Sequence, residues 1–127
     1  MVTGEKRKYP RIALKIEDGY FGNFKLFDDK KLVAPIVNFS AGGLNMAAPE
    51  NTAKNFRTGD RLLLVSIAGG ANFAFINQIE AEIRWIGASE TPGYLSVGIE
   101  FMDLPQAVRD QMIKFVDSER MTRGQYD

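Results

Sequence analysis

The chain has 127 residues, 45% of them hydrophobic, and its 16 basic residues balance its 16 acidic residues. This length predicts one domain with a substantial core. The neutral charge argues against a general nucleic-acid-binding protein, which usually carries a basic excess. Because the chain contains no histidine and no cysteine, a histidine-dependent catalytic triad, a disulfide framework and a zinc site are excluded.

The remaining candidates for catalysis and for membrane attachment are also weak. The carboxylate pair Asp28-Asp29 lies between apolar runs, where a solvated hairpin turn is expected rather than acid–base chemistry. No apolar run approaches the roughly 20 residues that a membrane-spanning helix needs, and the charged N-terminus does not have the pattern of a signal peptide. We therefore expect a cytoplasmic protein that is not an enzyme.

The first third of the chain predicts extended structure. Residues 12–27 are extended in pattern, with a break at Asp18-Gly19. Residues 20–27 and 31–39 flank a polar turn and predict a β-hairpin. Pro35 cannot donate a hydrogen bond to a neighbouring strand, so we expect its strand to lie at a sheet edge or to be bulged.

Further strands are predicted in the middle of the chain. A strand begins with residues 44–47, and a polar loop follows over residues 49–58. The compact apolar run at residues 61–67 predicts a strand that is covered on both faces. Residues 79–85 alternate strictly between apolar and polar, which predicts one buried and one exposed face and assigns Trp85 to the core.

The last quarter of the chain changes its period. Residues 95–101 alternate as a strand does, whereas residues 104–123 have apolar side chains at the three- and four-residue spacings of an amphipathic helix. Pro105 suits the first turn of that helix, and Gly124 ends the pattern. Six or so short strands followed by one helix favour an all-β fold with a terminal helix, arranged as a small closed barrel.

One polar turn separates two apolar runs early in the chain, at Asn38-Phe39-Ser40-Ala41-Gly42-Gly43. Asn38 offers an amide that donates and accepts, and Ser40 offers a hydroxyl. The two glycines allow another molecule to approach the backbone closely. Taken alone, the same residues are also those of an ordinary hairpin turn.

A basic segment precedes the predicted strands and includes Lys6, Arg7, Lys8 and Arg11. Pro10 disfavours a helix here, so the arginines should flank a bend in an extended segment. Two planar guanidinium groups in that arrangement suit bidentate capture of phosphates or purine edges. A solvated basic tail is the alternative interpretation.

Taken together, the two segments resemble a known family. An Arg-x-x-x-Arg motif (Arg7, Arg11) followed by Asn-x-Ser-x-x-Gly (Asn38, Ser40, Gly43) is similar to the PilZ domain, as are residues 98–101 near the last strand and the closing helix. Asn38 stands where the family more often has aspartate, so one carboxylate acceptor is absent. The resemblance implies a six-stranded antiparallel β-barrel with a C-terminal helix packed on it.

The resemblance also implies a ligand, the bacterial second messenger cyclic di-GMP, and no cofactor. Arg7 and Arg11 would contact phosphates and guanines. Asn38 and Ser40, with an exposed hydroxyl, would bond a guanine edge or a nearby arginine, and Gly43 would leave room for the base. Two further residues are implied at the site: Lys6, beside the arginine motif, and Trp85, which would stack on a guanine.

We therefore expect one PilZ-like domain over residues 1–127, with a flexible ligand-binding arm (1–11), a barrel (12–103) and a C-terminal helix (104–123). The leading hypothesis is a cyclic di-GMP receptor whose arm changes conformation on binding and signals to a protein partner in trans, in motility, adhesion or exopolysaccharide control. One alternative is a PilZ-like scaffold that binds protein and no nucleotide. Another is an unrelated oligonucleotide-binding barrel, which the neutral charge argues against.

Overall fold

A computed structural model describes residues 9–69 and 73–125 of the chain. The described residues form seven β-strands, two α-helices and one short 3-10 helix. The elements are β1 (Arg11–Ala13), the 3-10 helix (Ile16–Asp18), β2 (Phe21–Leu26), β3 (Lys31–Ser40), β4 (Gly43–Pro49), α1 (Glu50–Ala53), β5 (Arg61–Ala68), β6 (Ile79–Ala88), β7 (Tyr94–Phe101) and α2 (Gln106–Arg123).

The strands close into a barrel. Strands β3, β2, β5, β6, β7 and β4 pair in that order, and β4 pairs back with β3. All of these pairings are antiparallel, and β1 adds a short further strand alongside β3. The predicted six-stranded antiparallel barrel with a C-terminal helix is therefore confirmed.

The core contains an aromatic cluster beneath helix α2. Phe39 and Phe73 each contact Phe115 of the helix, with a ring-centroid distance of 4.5 Å for the Phe73–Phe115 pair. Met112 and Val116 of α2 are fully buried against the same cluster. The helix ends at Gly124, whose φ of 69° is the left-handed conformation that glycine adopts readily. The predicted amphipathic helix and its end are thus confirmed.

Three local predictions are corrected or resolved by the fold. Strand β5 is buried on one face and partly exposed on the other, so the prediction that both faces are covered was wrong; a small barrel has an interior for one face of each strand. Residues Glu50–Ala53 form helix α1 where a loop was predicted. Pro35 lies in a strand with neighbours on both sides, and the expected irregularity appears as a register shift between Ile36 and Asn38.

Helix α2 and Gln125, which follows it, are tied to the N-terminal part of the described chain by hydrogen bonds that span the sequence. The Gln125 side chain accepts from the Ala13 N–H at 2.8 Å and donates to the Ala13 carbonyl oxygen at 3.1 Å. Arg109 donates to the Tyr9 hydroxyl at 3.0 Å. These contacts hold β1, which begins at Arg11, between the barrel and the helix.

A salt bridge strengthens the same connection. The Asp18 carboxylate accepts from the Lys15 backbone N–H at 2.9 Å and pairs with Arg123 at 3.2 Å. The Lys15 hydrogen bond, aided by Arg123, lowers the pKa of Asp18 below its ordinary value. Among the described helices, none has the length and apolar character needed to cross a bilayer.

Candidate functional site

An open cleft of about 290 Å³ lies on the outer face of the barrel, where the β3–β4 turn meets β6 and β7. It brings together five residues that the sequence singled out: Arg11, Asn38, Ser40, Gly43 and Trp85. Lys6 and Arg7 lie outside the described residues, so their predicted roles stay predictions. Gly42, the other glycine noted in the sequence, also lines the cleft. The remaining lining residues were missed by sequence reasoning: Tyr9, Leu44, Asn45, Arg84, Gly98, Ile99 and Glu100.

Strand register explains why residues far apart in sequence meet here. Asn38 on β3 pairs with Asn45 on β4, Asn45 pairs with Gly98 on β7, and Gly98 pairs with Trp85 on β6. On the other side of β3, Arg11 of β1 pairs with Ser40. The cleft therefore follows one row of neighbouring residues across four barrel strands, with Arg11 at one end.

We call the side of the cleft formed by Asn38, Ser40, Gly42 and Gly43 the turn wall. Ser40 is only 7% exposed, so the expectation of an exposed hydroxyl was wrong. Its oxygen accepts from the Gly42 N–H at 3.1 Å and its hydroxyl donates to the Gly43 carbonyl at 3.4 Å. Ser40 therefore holds the turn closed with its own side chain.

Gly43 has a structural reason to be glycine. A Cβ atom at this position would overlap the carbonyl oxygen of Ile99, in the backbone of the neighbouring strand β7. Backbone atoms cannot move aside as a flexible side chain can, so the close approach of β4 and β7 requires glycine. This requirement is independent of any ligand.

The opposite side of the cleft, formed by Arg84, Trp85, Gly98 and Glu100, is the tryptophan wall. Trp85 is 42% exposed, so its predicted burial was wrong. The β6–β7 register shifts between Ile83 and Trp85, which leaves Arg84 as an extra residue. A bulge of this kind turns the following side chain to the other face of the sheet, and here it turns Trp85 outward.

The bulge in β6 has a counterpart in β3. The β3–β4 register shifts between Ile36 and Asn38, so this irregularity comes immediately before Asn38. Both Asn38 and Trp85 thus follow a register shift, and both line the cleft. Bulges are common beside functional sites because they re-aim single side chains without disrupting the sheet.

The indole of Trp85 lies against two glycines, Gly98 and Gly87. A Cβ atom on Gly98 would overlap the indole nitrogen of Trp85 and lie 2.8 Å from the Asn45 side-chain oxygen. The other edge of the indole is 3.1 Å from a Cβ built on Gly87. The indole therefore lies close against the backbone of β6 and β7, with part of its surface open to the cleft.

Charged side chains border the tryptophan wall. Arg84 donates to one oxygen of Glu100 at 2.5 Å and contacts Glu82 at 3.3 Å. Glu82 also accepts from Arg61 at 3.1 Å. The hydrogen bond with Glu100 raises the pKa of Arg84 above its already high ordinary value, so Arg84 is charged at every physiological pH.

The cleft offers groups that suit a planar, anionic ligand. Arg11 supplies a cationic donor, Asn38 and Asn45 supply amides, and Trp85 supplies an aromatic surface, whereas Arg84 is paired with Glu82 and Glu100. Among the described residues, no cluster of three or more His, Cys, Asp or Glu side chains is arranged to hold a metal ion.

Comparison with known proteins places this site in context. The sequence profile of the PilZ domain matches residues 5–118. The PilZ domain with c-di-GMP of YcgR from Escherichia coli aligns with a TM-score of 0.69 and 20% identity, covering 96% of this chain and 100% of that one. No curated protein sequence matches this chain significantly.

Two longer proteins share the fold. YcgR in complex with c-di-GMP from Escherichia coli aligns with a TM-score of 0.71 and 22% identity, covering 95% of this chain and 49% of that one. The Bacillus subtilis inhibitor of motility MotI/DgrA aligns with a TM-score of 0.66 and 17% identity, covering 93% of this chain and 52% of that one. This chain thus spans about half the length of these two relatives.

Proposed function

This chain belongs to the PilZ domain family, and we propose that it is a cytoplasmic receptor for cyclic di-GMP, which it binds in the cleft between the turn wall and the tryptophan wall. The observation that carries the proposal is the meeting of Arg11, Asn38 and Trp85 in one cleft from three separate strands. Two structural relatives described as complexes with c-di-GMP support it.

The chemistry of each side chain fits this ligand. Arg11 is exposed at one end of the cleft, where its planar guanidinium suits a phosphate or the O6 and N7 atoms of guanine. Trp85 presents an open indole surface on which a base stacks. Asn38 presents an amide for the base edge. In this proposal Lys6 and Arg7 add contacts from the segment that precedes Tyr9.

A second candidate function is a protein-binding scaffold that takes no nucleotide. It is favoured by the turn wall, because Ser40 bonds within the turn and Gly43 is required by the backbone of β7, so both residues have a role in the fold without a ligand. Asn38 also lacks the carboxylate that the family more often has at this position. Two of the motif residues would therefore be present whether or not the chain binds a nucleotide.

Calorimetric titration with cyclic di-GMP, GTP and a short oligonucleotide distinguishes the candidates. The receptor proposal predicts binding of cyclic di-GMP alone. Arg11→Ala should weaken it by about 2 kcal/mol, because it removes charge-assisted hydrogen bonds. Arg11→Lys should recover little, since an ammonium group cannot replace the planar fork.

Arg57→Ala is the matched control, because Arg57 is another exposed arginine and does not line the cleft. The control should bind as the wild-type protein does. Wild-type protein that binds none of the three ligands would favour the scaffold, and unchanged affinity in Arg11→Ala would contradict the assigned site.

We further propose that binding changes the arm at residues 1–11 and that a protein partner in trans reads this change, in motility, adhesion or exopolysaccharide control. Arg11 supports the link, because its strand contacts both the cleft and helix α2. Tryptic cleavage after Lys6, Arg7 or Lys8 should be fast without ligand and slow with saturating cyclic di-GMP. Equal rates in a sample where binding is confirmed would exclude the arm as the signal.

A further inference from the structure

Glu100 occupies an unusual position for a carboxylate. It lies on the outer face of β7, its side chain is 49% exposed, and it lines the cleft with Trp85. Its partner across the β4–β7 ladder is Gly43, which has no side chain that could cover Glu100. A carboxylate beside a site for a doubly negative ligand repels the phosphates unless it accepts hydrogen bonds from another part of that ligand.

Arg84 favours one orientation of this carboxylate. Arg84 donates to the Oε1 atom of Glu100 at 2.5 Å and is itself held on its other side by Glu82 at 3.3 Å. The Oε2 atom of Glu100 has no partner among residues 9–69 and 73–125. One oxygen is therefore fixed by arginine and the other remains able to accept.

This pairing does little for the stability of the fold. Both side chains are about half exposed, at 53% for Arg84 and 49% for Glu100. Exposed ion pairs usually contribute little to the free energy of unfolding. The pair therefore matters more for the direction of the Glu100 carboxylate than for the stability of the barrel.

Guanine has the chemistry that such a carboxylate recognises. Its N1–H and its 2-amino group both donate along one edge, whereas its O6 and N7 atoms accept along another. An arginine suits the accepting edge and a carboxylate the donating edge. Asn38 provides an amide, and Glu100 is the one carboxylate among the described residues that line the cleft.

The distances within the tryptophan wall permit the contact. Gly98, against which the Trp85 indole lies, is two residues before Glu100 on the same face of β7. Two residues along a strand are separated by about 7 Å, which is comparable to the width of a stacked base. A base on the indole surface thus has an edge within reach of the Glu100 side chain.

We propose that Glu100 is a specificity-determining residue that accepts a hydrogen bond from the 2-amino group of one guanine, with Arg84 as its positioning residue. The proposal rests on the proposed function, since it assigns a base contact within the same cleft. It adds a residue outside the Arg-x-x-x-Arg and Asn-x-Ser-x-x-Gly motifs.

The test compares cyclic di-GMP with cyclic di-IMP, which lacks the two 2-amino groups and retains the phosphates. The readout is the ratio of the two dissociation constants, because a change in electrostatic repulsion affects both ligands equally. Wild-type protein should prefer cyclic di-GMP by about tenfold or more, the size of one charge-assisted hydrogen bond. Glu100→Gln should reduce that preference severalfold, and Glu100→Met, which has no oxygen acceptor, should nearly abolish it.

Glu80→Gln is the charge-matched control. Glu80 is exposed on β6, pairs with Arg61 at 3.9 Å and does not line the cleft. This control should keep the wild-type ratio. A wild-type ratio in Glu100→Gln and Glu100→Met, or an equal fall in the Glu80 control, would overturn the proposal. Wild-type protein that binds neither dinucleotide would instead overturn the proposed function.

Discussion

The two walls of the cleft differ in what keeps their residues in place. In the turn wall, Ser40 is buried and bonded to the turn, and Gly43 is required by the backbone of β7. In the tryptophan wall, Trp85 and Glu100 are half exposed, and the bulge that turns Trp85 outward leaves an indole surface in solvent. Ser40 and Gly43 of the turn wall therefore contribute to the fold directly, whereas Trp85 and Glu100 of the tryptophan wall do not.

This difference bears on how the family motif should be interpreted. Because Ser40 and Gly43 both have a role in the fold without a ligand, their presence alone does not distinguish a receptor from a scaffold. The apolar surface of an exposed tryptophan is unfavourable in water, and the side chain contributes little to the core. Side chains in the tryptophan wall should therefore affect ligand binding with little effect on stability, whereas those in the turn wall should affect both.

The largest effect is expected at Gly43, in the turn wall. Gly43→Ala should lower the free energy of unfolding by about 3 kcal/mol, because its Cβ would push apart the backbones of β4 and β7. Denaturant unfolding measures this loss. Gly42→Ala is the neighbouring control, since its Cβ would meet the edge of the Tyr9 ring at 3.1 Å and that side chain can adjust. Equal losses in the two variants would contradict the structural role of Gly43.

The next effect is expected at Trp85, and it concerns binding. Trp85→Ala should weaken cyclic di-GMP binding by about 2 kcal/mol through loss of base stacking. Its thermal midpoint should stay close to that of the wild-type protein. Phe27→Ala is a suitable control, because Phe27 is a 72% exposed aromatic residue that does not line the cleft. If Trp85→Ala unfolds at much lower temperature with affinity intact, the distinction between the walls fails.

A smaller effect on both quantities is expected at Ser40. Ser40→Ala should cost about 1 kcal/mol of unfolding free energy, because the Gly42 N–H loses its acceptor. Affinity should fall as well, since the turn loosens. Ser66→Ala removes a comparable acceptor, for the Asn23 side chain at 2.9 Å, without touching the cleft. That control should lose stability and keep its affinity; a Ser40 variant with unchanged stability would show that the turn does not need this hydroxyl.

The smallest effect is expected at Asp18, outside both walls, and it gives the baseline for a change that leaves the cleft intact. The folded state lowers the pKa of Asp18 through the Lys15 N–H and Arg123, so its contribution is present above the unfolded value of 3.8 and is lost as pH falls through the folded value. Asp18→Asn should be slightly less stable than wild type at pH 7. Thermal melts should converge once the pH has fallen below the lowered pKa that Asp18 has in the folded state. A difference that persists there, or a change in ligand affinity at pH 7, would contradict this account.

The architecture could be predicted from sequence because it depends on local patterns. Alternation identified the strands that became β6 and β7, and a three- and four-residue period identified α2. The turn between β3 and β4 was recognised from its own residue types, although it is formed by residues 41–42 alone and Asn38 and Ser40 lie in β3. Each of these predictions uses only the order of apolar and polar residues close together in the sequence, which shows which side chains face water.

The site could be predicted only in part, because its other half depends on pairing between distant segments. Trp85 was assigned to the core because alternation assumes an unbroken strand, and the extra residue Arg84 reverses the parity after it. Glu100 appeared as one more polar residue on an exposed face, since its contact with Arg84 joins two strands. The approach of Tyr9 to Arg109 spans 100 residues and has no local pattern.

The double hydrogen bond between Gln125 and Ala13 has a consequence for self-association. A closed barrel has no strand edges, but β1 lies at the end of the described sheet with a single strand neighbour, β3. An uncovered edge of this kind is a template on which a strand from another molecule can add. The glutamine amide carries the same donor and acceptor as a peptide group, and it occupies both the N–H and the carbonyl of Ala13. Gln125, which follows α2, thereby takes the place of a neighbouring strand at Ala13, and we expect it to disfavour edge-to-edge pairing there.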